Sequence, residues 1–401
     1  VSKWLSVIGI GEEGLAGLSP AARALVDGAE VLVGGARHLA MLPEDARERL
    51  TWTRPLSRLV DEIMRRRNRP VCVLATGDPM HFGIGVTLAR RLPVAEMTVM
   101  PSPSAFSLAC ARLGWPIDGA ALLTLHGRPL EMVSAYLEPG ARLLALSENG
   151  ATPAALAALL RARAYGRSRL TVLEHMGGAR ERMIAATALE WRANGIADLN
   201  TVAVECVADD GAPLLPRLPG LPDEAFHHDG QLTKREVRAV TLAALAPLRG
   251  QLLWDVGAGC GSVAIEWMRC RRGGRAIAVE RDPARRRLVA DNAAALGAPR
   301  LEIVAGAAPE ALHGLAPPDA VFIGGGVAAA GVIEACWTAL KPGGRLVANA
   351  VTLEGEAALG AWRERLGASL TRIAIARAEP LGARHAWRPL MPVTQLAAVK
   401  R

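Results

Sequence analysis

Aromatic residues make up only 4% of the 401 residues, and no basic run is interleaved with stacking rings. Proteins that grip nucleic acid combine those two features, so that partner is not expected. Lysine is nearly missing: it stands only at positions 3, 234, 341 and 400, and arginine carries almost all the positive charge behind a net +8. An excess of arginine, alanine and glycine is also what a GC-rich genome produces, but guanidinium forks do suit planar carboxylates, so an anionic partner of that kind is expected. The six cysteines, at 72, 110, 206, 260, 270 and 336, form no CxxC pair and no Cys/His cluster. They read as small buried hydrophobes, with no disulfide framework and no metal. Although 51% of residues are hydrophobic, no apolar run approaches the roughly 18 residues of a membrane span. Lys3 leads straight into WLSVIGIG without the pattern of a secretory leader, so the cytoplasm is the expected compartment.

What the chain does have is glycine at telling positions. Leu252 to Gly261 reads LLWDVGAGCG, an apolar strand that ends in Asp255 and turns through Gly257, Gly259 and Gly261. Glycines there permit a tight turn and let backbone N–H groups approach a ligand. The G-x-G-x-G spacing departs from the dinucleotide fingerprint, which wants its third glycine one position later, and points to S-adenosylmethionine (SAM), which has no pyrophosphate. A second apolar strand closes on Glu280, roughly 20 residues past the turn, where this kind of sheet holds ribose hydroxyls. Two readings of Asp255 stand: a cofactor ligand, or a buried carboxylate that bonds loop amides and shapes the turn.

A chain of this length exceeds one core. The break falls near residues 209 to 226, where DDGAPLLPRLPGLPDEAF places four prolines and two glycines between two regular regions. Proline at that density favours an extended linker. The expected organisation is therefore a domain over 1–208, a linker over 209–225 and a second domain over 226–401. Strands alternate with helices throughout the second domain, which predicts a doubly wound parallel sheet, with strands near 370–377 and 395–400 supplying an antiparallel edge. The first domain splits again around Gly114 to Gly119 into α/β lobes of about 1–114 and 119–208, and a cleft between lobes is a natural ligand site.

The motifs carry a specific resemblance. VIGIGEEG from Val7, ATGDPMHFG from Ala75 and MPSPSAFSLACARLG from Met100 make the first half similar to the tetrapyrrole (corrin-type) methylase family, except that Glu12 and Glu13 follow Gly11 where that family usually places a proline. HDGQLTKREVR from His228, DVGAGCGSVAIE from Asp255, GAAPEAL from Gly306 and DAVFIGGG from Asp319 make the second half resemble the small SAM-dependent enzymes that methylate and decarboxylate precorrins. The resemblance implies a two-lobed tetrapyrrole methylase fold followed by a Rossmann-like methyltransferase sheet. It further implies one SAM site per domain, a precorrin substrate, and loss of carbon dioxide from an acetate side chain.

Site expectations follow from both sources. Gly257, Gly259, Gly261 and Glu280 come from the residues themselves; the resemblance adds Thr233 near the methionine end of SAM and Ala308 beside its adenine. In the first domain it points to Gly11, Asp78 and Ser104, with Asp78 either holding the amino acid part of SAM or capping the next turn. His126 faces substrate or is an ordinary loop residue. Methyl transfer from a sulfonium to carbon needs alignment and exclusion of water more than a base, consistent with a sequence that offers no Ser/His/Asp set. The ring itself takes the electrons left by carbon dioxide, so the protein need only orient a carboxylate and manage a proton. Gln231, His227, His228, Asp229, Asn349 and Thr352 are candidates for that. Arg235 and Arg238, three apart and so on one helix face, are candidate carboxylate ligands. A homo-oligomer is expected, with no nucleic acid and no membrane. Two alternatives remain: an RNA methyltransferase, which would want an Asn/Asp-Pro-Pro-aromatic or Pro-Cys motif where Ile323-Gly324-Gly325-Gly326 stands, and a chain with one catalytic half and one tetrapyrrole-binding half.

Overall fold

Runs such as LSVIGI and VCVLAT are apolar on both faces, which suits strands buried between layers of helices. A computed structural model, describing residues 3–52, 55–271 and 273–401, puts these runs in the sheet interiors, with Leu5, Val7, Ile8 and Val73 fully buried. The chain divides into two compact units: Val1–Arg128 with Pro139–Ala212, and Pro129–Glu138 with Pro213–Arg401.

The first unit holds two sheets. β1 (Leu5–Ile10), β2 (Val31–Gly34), β3 (Glu48–Thr51), β4 (Val71–Thr76) and β5 (Met97–Met100) form a parallel sheet in the order β3-β2-β4-β1-β5. The second sheet comprises β6 (Ala121–Thr124), β7 (Arg142–Leu146), β8 (Arg169–Glu174), β9 (Arg182–Thr187) and β10 (Asn200–Glu205), ordered β6-β7-β10-β8-β9. Only β6 and β7 run parallel there; the other pairs are antiparallel.

The second unit is built on seven strands: β11 (Leu252–Val256), β12 (Arg275–Glu280), β13 (Glu302–Ala305), β14 (Ala320–Ile323), β15 (Arg345–Ala350), β16 (Ser369–Ile373) and, beyond a separate hairpin, β19 (Val393–Val399). Their order is β13-β12-β11-β14-β15-β19-β16, and β19 is antiparallel to both neighbours. The last strand is thus inside the sheet, and β16 rather than β19 forms the edge. The hairpin, β17 (Ala376–Leu381) with β18 (Arg384–Pro389), stands as its own two-stranded sheet.

The expected linker is corrected by the packing. Leu221 and Phe226 are buried in the second unit's core beside Leu242, Cys260 and Trp267, and the N–H groups of Gly220 and Leu221 donate to the Glu266 carboxylate at 2.7 and 2.9 Å. Prolines keep this segment extended, but its leucines anchor it, so residues 213–225 belong to the second unit.

Candidate functional site

In the first unit the three sequence motifs meet through their backbones. Gly77 donates its N–H to the Ile10 carbonyl at 3.1 Å, Ser102 donates its N–H to the Gly77 carbonyl at 3.2 Å, and the Ser102 hydroxyl donates to the Gly9 carbonyl at 2.7 Å. A Cβ on Gly9 would lie 1.8 Å from the Gly77 carbonyl oxygen, so only glycine allows this approach. The motifs open onto a cavity of about 890 Å³ whose lining includes Gly11, Asp78, Ser104 and His126, all expected from the sequence.

Asp78 accepts the Met80 N–H at 2.8 Å, so it caps the following turn while lining the cavity. Ser104 caps the helix Ala105–Leu113 by accepting the Ser107 N–H at 3.1 Å. His126 is largely exposed, with its ring 3.5 Å from the Glu148 carboxylate. Sequence reasoning missed the network around Glu12. That carboxylate pairs with Arg37 and lies 2.8 Å from His175 Nδ1, while Arg37 donates to the Thr76 hydroxyl at 2.9 Å. Burial raises the Glu12 pKa, but the His175 hydrogen bond and the Arg37 charge outweigh it and hold the group below the usual carboxylate range. His38, buried beside Arg37, is pushed down to about 4 by burial first and that positive charge second. It is therefore neutral at physiological pH, which suits the 3.0 Å contact of its Nε2 with the Thr76 hydroxyl. The double glutamate after Gly11 was the visible signal; its partners lie far along the chain.

In the second unit, the glycine turn lies where β11 ends. Gly257, at φ +71°, donates its N–H to the Val279 carbonyl at 2.9 Å, and a Cβ there would sit 2.8 Å from the Gly325 nitrogen. Gly259 donates its N–H to the Glu280 carboxylate at 2.9 Å, whose other oxygen accepts the Asp282 N–H at 3.0 Å. Gln231, Thr233, Gly257, Gly259 and Asn349 line a cavity of about 400 Å³. At Gly259 only the Gln231 carbonyl, 3.6 Å away, would face a Cβ, so the bare backbone leaves room that a side chain would fill, as the close approach of a nucleoside-type cofactor such as SAM requires.

Asp255 has the burial and the backbone bond of the second of its two readings, and does not line the cavity. It is fully buried, accepts the Ala264 N–H at 3.0 Å, and leaves its other oxygen without a partner. Burial pushes its pKa up to about 7 against the opposing Ala264 hydrogen bond. Gly261, at φ +80°, caps the helix Ser262–Cys270 without lining the cavity. Ala308 lies in the loop after β13 and packs against the core. Thr352 caps the helix Leu353–Leu366 through the Gly355 N–H at 3.2 Å, and the exposed His228 accepts the Gly230 N–H at 3.0 Å; neither lines the cavity.

Arg238 is a correction. Its side chain is fully buried, with Nε donating to Glu266 at 2.6 Å and Nη1 donating to Asp223 at 3.3 Å and to the Thr233 carbonyl at 2.5 Å. It cannot meet substrate; it fixes the backbone of Thr233. Arg235, three residues earlier, is exposed, so the expected shared face is split between core and solvent. Among the described lining residues, Arg37 is the arginine of the larger cavity and Arg285 that of the smaller, so the anionic partner expected from the arginine content would meet one guanidinium in each.

Asn349, which lines the smaller cavity, is held by two buried polar residues, Thr241 and Gln395, a group unseen in the sequence. Asn349 Nδ2 donates to the Thr241 hydroxyl at 3.1 Å, and Gln395 Nε2 donates both to that hydroxyl at 3.0 Å and to Asn349 Oδ1 at 2.9 Å. Thr241 comes from the helix Arg235–Leu245, while Asn349 and Gln395 are paired across β15 and β19. Nearby, Asn292 ties the His227 backbone to the glycine loop, accepting the His227 N–H at 2.8 Å and donating to the Cys260 carbonyl at 3.0 Å. A polar residue interrupting an apolar run was the only sequence sign of Thr241, Asn292 or Gln395.

Both units carry the marks of SAM-dependent methyltransferase domains, one of the tetrapyrrole class and one of the Rossmann-like class, fused in one chain. A family model described as Tetrapyrrole (Corrin/Porphyrin) Methylases matches residues 5–190, and one described as Precorrin methyltransferase domain matches residues 224–400. The precorrin-6Y C(5,15)-methyltransferase [decarboxylating] of Sinorhizobium sp is 52% identical over 401 residues, spanning 100% of this chain and 97% of that protein. The chain belongs to the family of decarboxylating precorrin-6Y C(5,15)-methyltransferases. Two Salmonella typhimurium proteins match about half of it each. Cobalt-precorrin-7 C(5)-methyltransferase is 29% identical over 200 residues, 49% of this chain and 98% of that one. Cobalt-precorrin-6B C(15)-methyltransferase (decarboxylating) is 36% identical over 173 residues, 42% of this chain and 89% of that one.

Proposed function

We propose that this chain methylates precorrin-6Y at C5 and C15 and removes carbon dioxide from an acetate side chain, in the synthesis of cobalamin. The observation that carries the reading is the full-length similarity to a decarboxylating C(5,15)-methyltransferase, joined to two glycine-built cavities in separate units. The first unit adds the C5 methyl; the second adds the C15 methyl and releases carbon dioxide. That two Salmonella proteins of about half this length bear the two activities separately supports one reaction per unit.

Each unit holds its own SAM. In the first, Gly11, Asp78 and Ser104 face the cofactor; in the second, Gly257, Gly259 and Thr233 do, with Glu280 on the ribose and Ala308 toward the adenine. SAM supplies an electrophilic methyl group when bound. The protein's part is to align the ring carbon and keep water out, a role for which Val351, Leu390 and Val393 in the second cavity's lining are suited. Gln231, which lines the same cavity, orients substrate.

Incubating the full chain with precorrin-6Y and methyl-labelled SAM, and reading product masses, tests the reading. Two added methyls and one lost carbon dioxide are expected, with calorimetry giving about two SAM equivalents. One SAM equivalent and one methyl would instead support a chain with one catalytic unit and one tetrapyrrole-binding unit.

The protein acts in the cytoplasm on this reading; no helix among the described residues is long and apolar enough to cross a membrane. It also assembles with copies of itself through the hairpin β17–β18. An isolated two-stranded ribbon is marginal in water, yet this one exposes Leu381 at 68% and Trp387 at 76%, a pattern that a partner surface would cover.

A further inference from the structure

The hydrogen bonds under the second cavity fix the polarity of what Asn349 offers. A glutamine amide has two N–H groups, and Gln395 spends both, one on Thr241 and one on the Asn349 oxygen. Turning the Asn349 amide over would set its N–H groups against those of Gln395, so the network assigns the oxygen to Gln395 and the nitrogen to Thr241. One Asn349 N–H goes to the Thr241 hydroxyl, and the other is left for the cavity that Asn349 lines. Thr241 and Gln395 are almost wholly buried, so water does not compete for this arrangement.

The cavity that receives that donor sets the apolar side chains Val237, Val351, Ile375 and Val393 beside the neutral Gln231, Thr233 and Ser262, with no carboxylate among its described lining residues. Of the two cations lining it, Arg285 is engaged by Asp229 at 2.8 Å and Lys234 sits at the start of the helix that carries Thr241. Cations suit the carboxylates a substrate keeps. A carboxylate that must leave is better oriented by a neutral donor, because an ion pair would stabilise the starting anion, whereas an apolar wall withholds water from it.

We propose that Asn349, locked by Thr241 and Gln395, receives the departing acetate carboxylate and aims its carbon–carbon bond at the ring. The inference rests on the reading of the second unit as the decarboxylating one. In the step, the bond between the acetate methylene and the carboxylate carbon breaks, carbon dioxide leaves, and the electron pair enters the conjugated ring. Once carbon dioxide has left, solvent reaches the methylene carbon and supplies one proton, so that an acetate anion and a proton become a methyl group and carbon dioxide. Asn349 touches the substrate; Thr241 and Gln395 are positioning residues.

The test uses the full chain with precorrin-6Y, with methylated products separated by mass and SAM affinity followed by calorimetry. Thr241→Val keeps the shape but frees the Asn349 amide to rotate. Carbon dioxide released per methyl transferred should fall about tenfold, a methylated but undecarboxylated product should accumulate, and Thr241→Ser should restore the ratio. Asn349→Asp, at a half-buried site that tolerates polarity, should lower the ratio further by placing like charge against the carboxylate. An unchanged ratio in Asn349→Asp, or a Thr241→Ser variant no better than Thr241→Val, would overturn the proposal. A parent chain that adds both methyls without releasing carbon dioxide would overturn the reading beneath it, and the proposal with it.

Discussion

The two cavities differ in the groups that line them. Ionisable groups of both signs line the first, among them Glu12, Arg37, His38, Asp78 and His175; the described lining of the second holds no carboxylate, and sets glycine backbone and apolar side chains beside the neutral polar groups of Gln231, Thr233, Ser262 and Asn349, with Lys234 and Arg285 as its cations. Transfer of a methyl group is tolerant of either setting, because alignment dominates it. Loss of carbon dioxide is not, since charge placed on the carboxylate opposes it. On the proposed division of labour, the second reaction rather than the methyl donor accounts for the lack of carboxylates among the described lining residues of the second cavity.

The sharpest way to break this comparison is to disable one cavity alone. Gly257→Ala would force a Cβ within 2.9 Å of the Gly325 backbone at a φ of +71°. We expect SAM binding in the second unit to fall at least a hundredfold, calorimetric stoichiometry to drop from two to one, and C5 methylation to persist. Loss of both sites together would show that the units do not act independently. Next in size, Glu280→Ala should weaken SAM in the second unit by about 1.5–3 kcal/mol, the scale of a hydrogen bond to a charged acceptor. Unchanged affinity would remove Glu280 from the ribose.

Acid should separate the units by sign. Glu181, held at about 2 by the Arg112 guanidinium and then the Gly177 N–H, stabilises the first unit above its ordinary value of 4.5; that contribution is lost as pH falls toward 2. Asp255, raised from 3.8 to about 7 by burial, does the reverse, and stability present at low pH is lost as pH rises through 7. In thermal melts, Glu181→Gln should flatten the acid limb of the first unit and Asp255→Asn the decline of the second between about pH 4 and 7. Unaltered slopes would refute the respective assignment. The smallest effect is expected at the surface: Trp387→Ser should shift sedimentation toward smaller species and leave methyl transfer intact.

Much of the frame was legible because it is local. The glycine turn, the strand ending at Glu280, and the motifs meeting at Gly9, Gly77 and Ser102 each announce themselves within a dozen residues, through backbone demands that few residue types satisfy. The short strand β3 did not, since ERLT has too little alternation to signal a strand, and neither strand of the hairpin did, each being short of large apolar residues and holding a proline. Arg238 misled for a different reason. Helical spacing places two arginines near one another but does not say which way the pair faces, and Glu266 and Asp223 decided that from elsewhere. Thr241 and Gln395 were beyond reach, as they meet across 154 positions of chain.

The interior place of β19 has a consequence in time. A ribosome extending a chain by roughly 5–20 residues each second delivers β11 to β15 well before β19, and until then β15 and β16 have no strand between them. Gln395 arrives with that strand. During synthesis the glycine turn is therefore complete while the amide under Asn349 is still unlocked, so a nascent second unit would gain the means to hold its methyl donor before the means to direct a carboxylate. Order of assembly is written into the sheet.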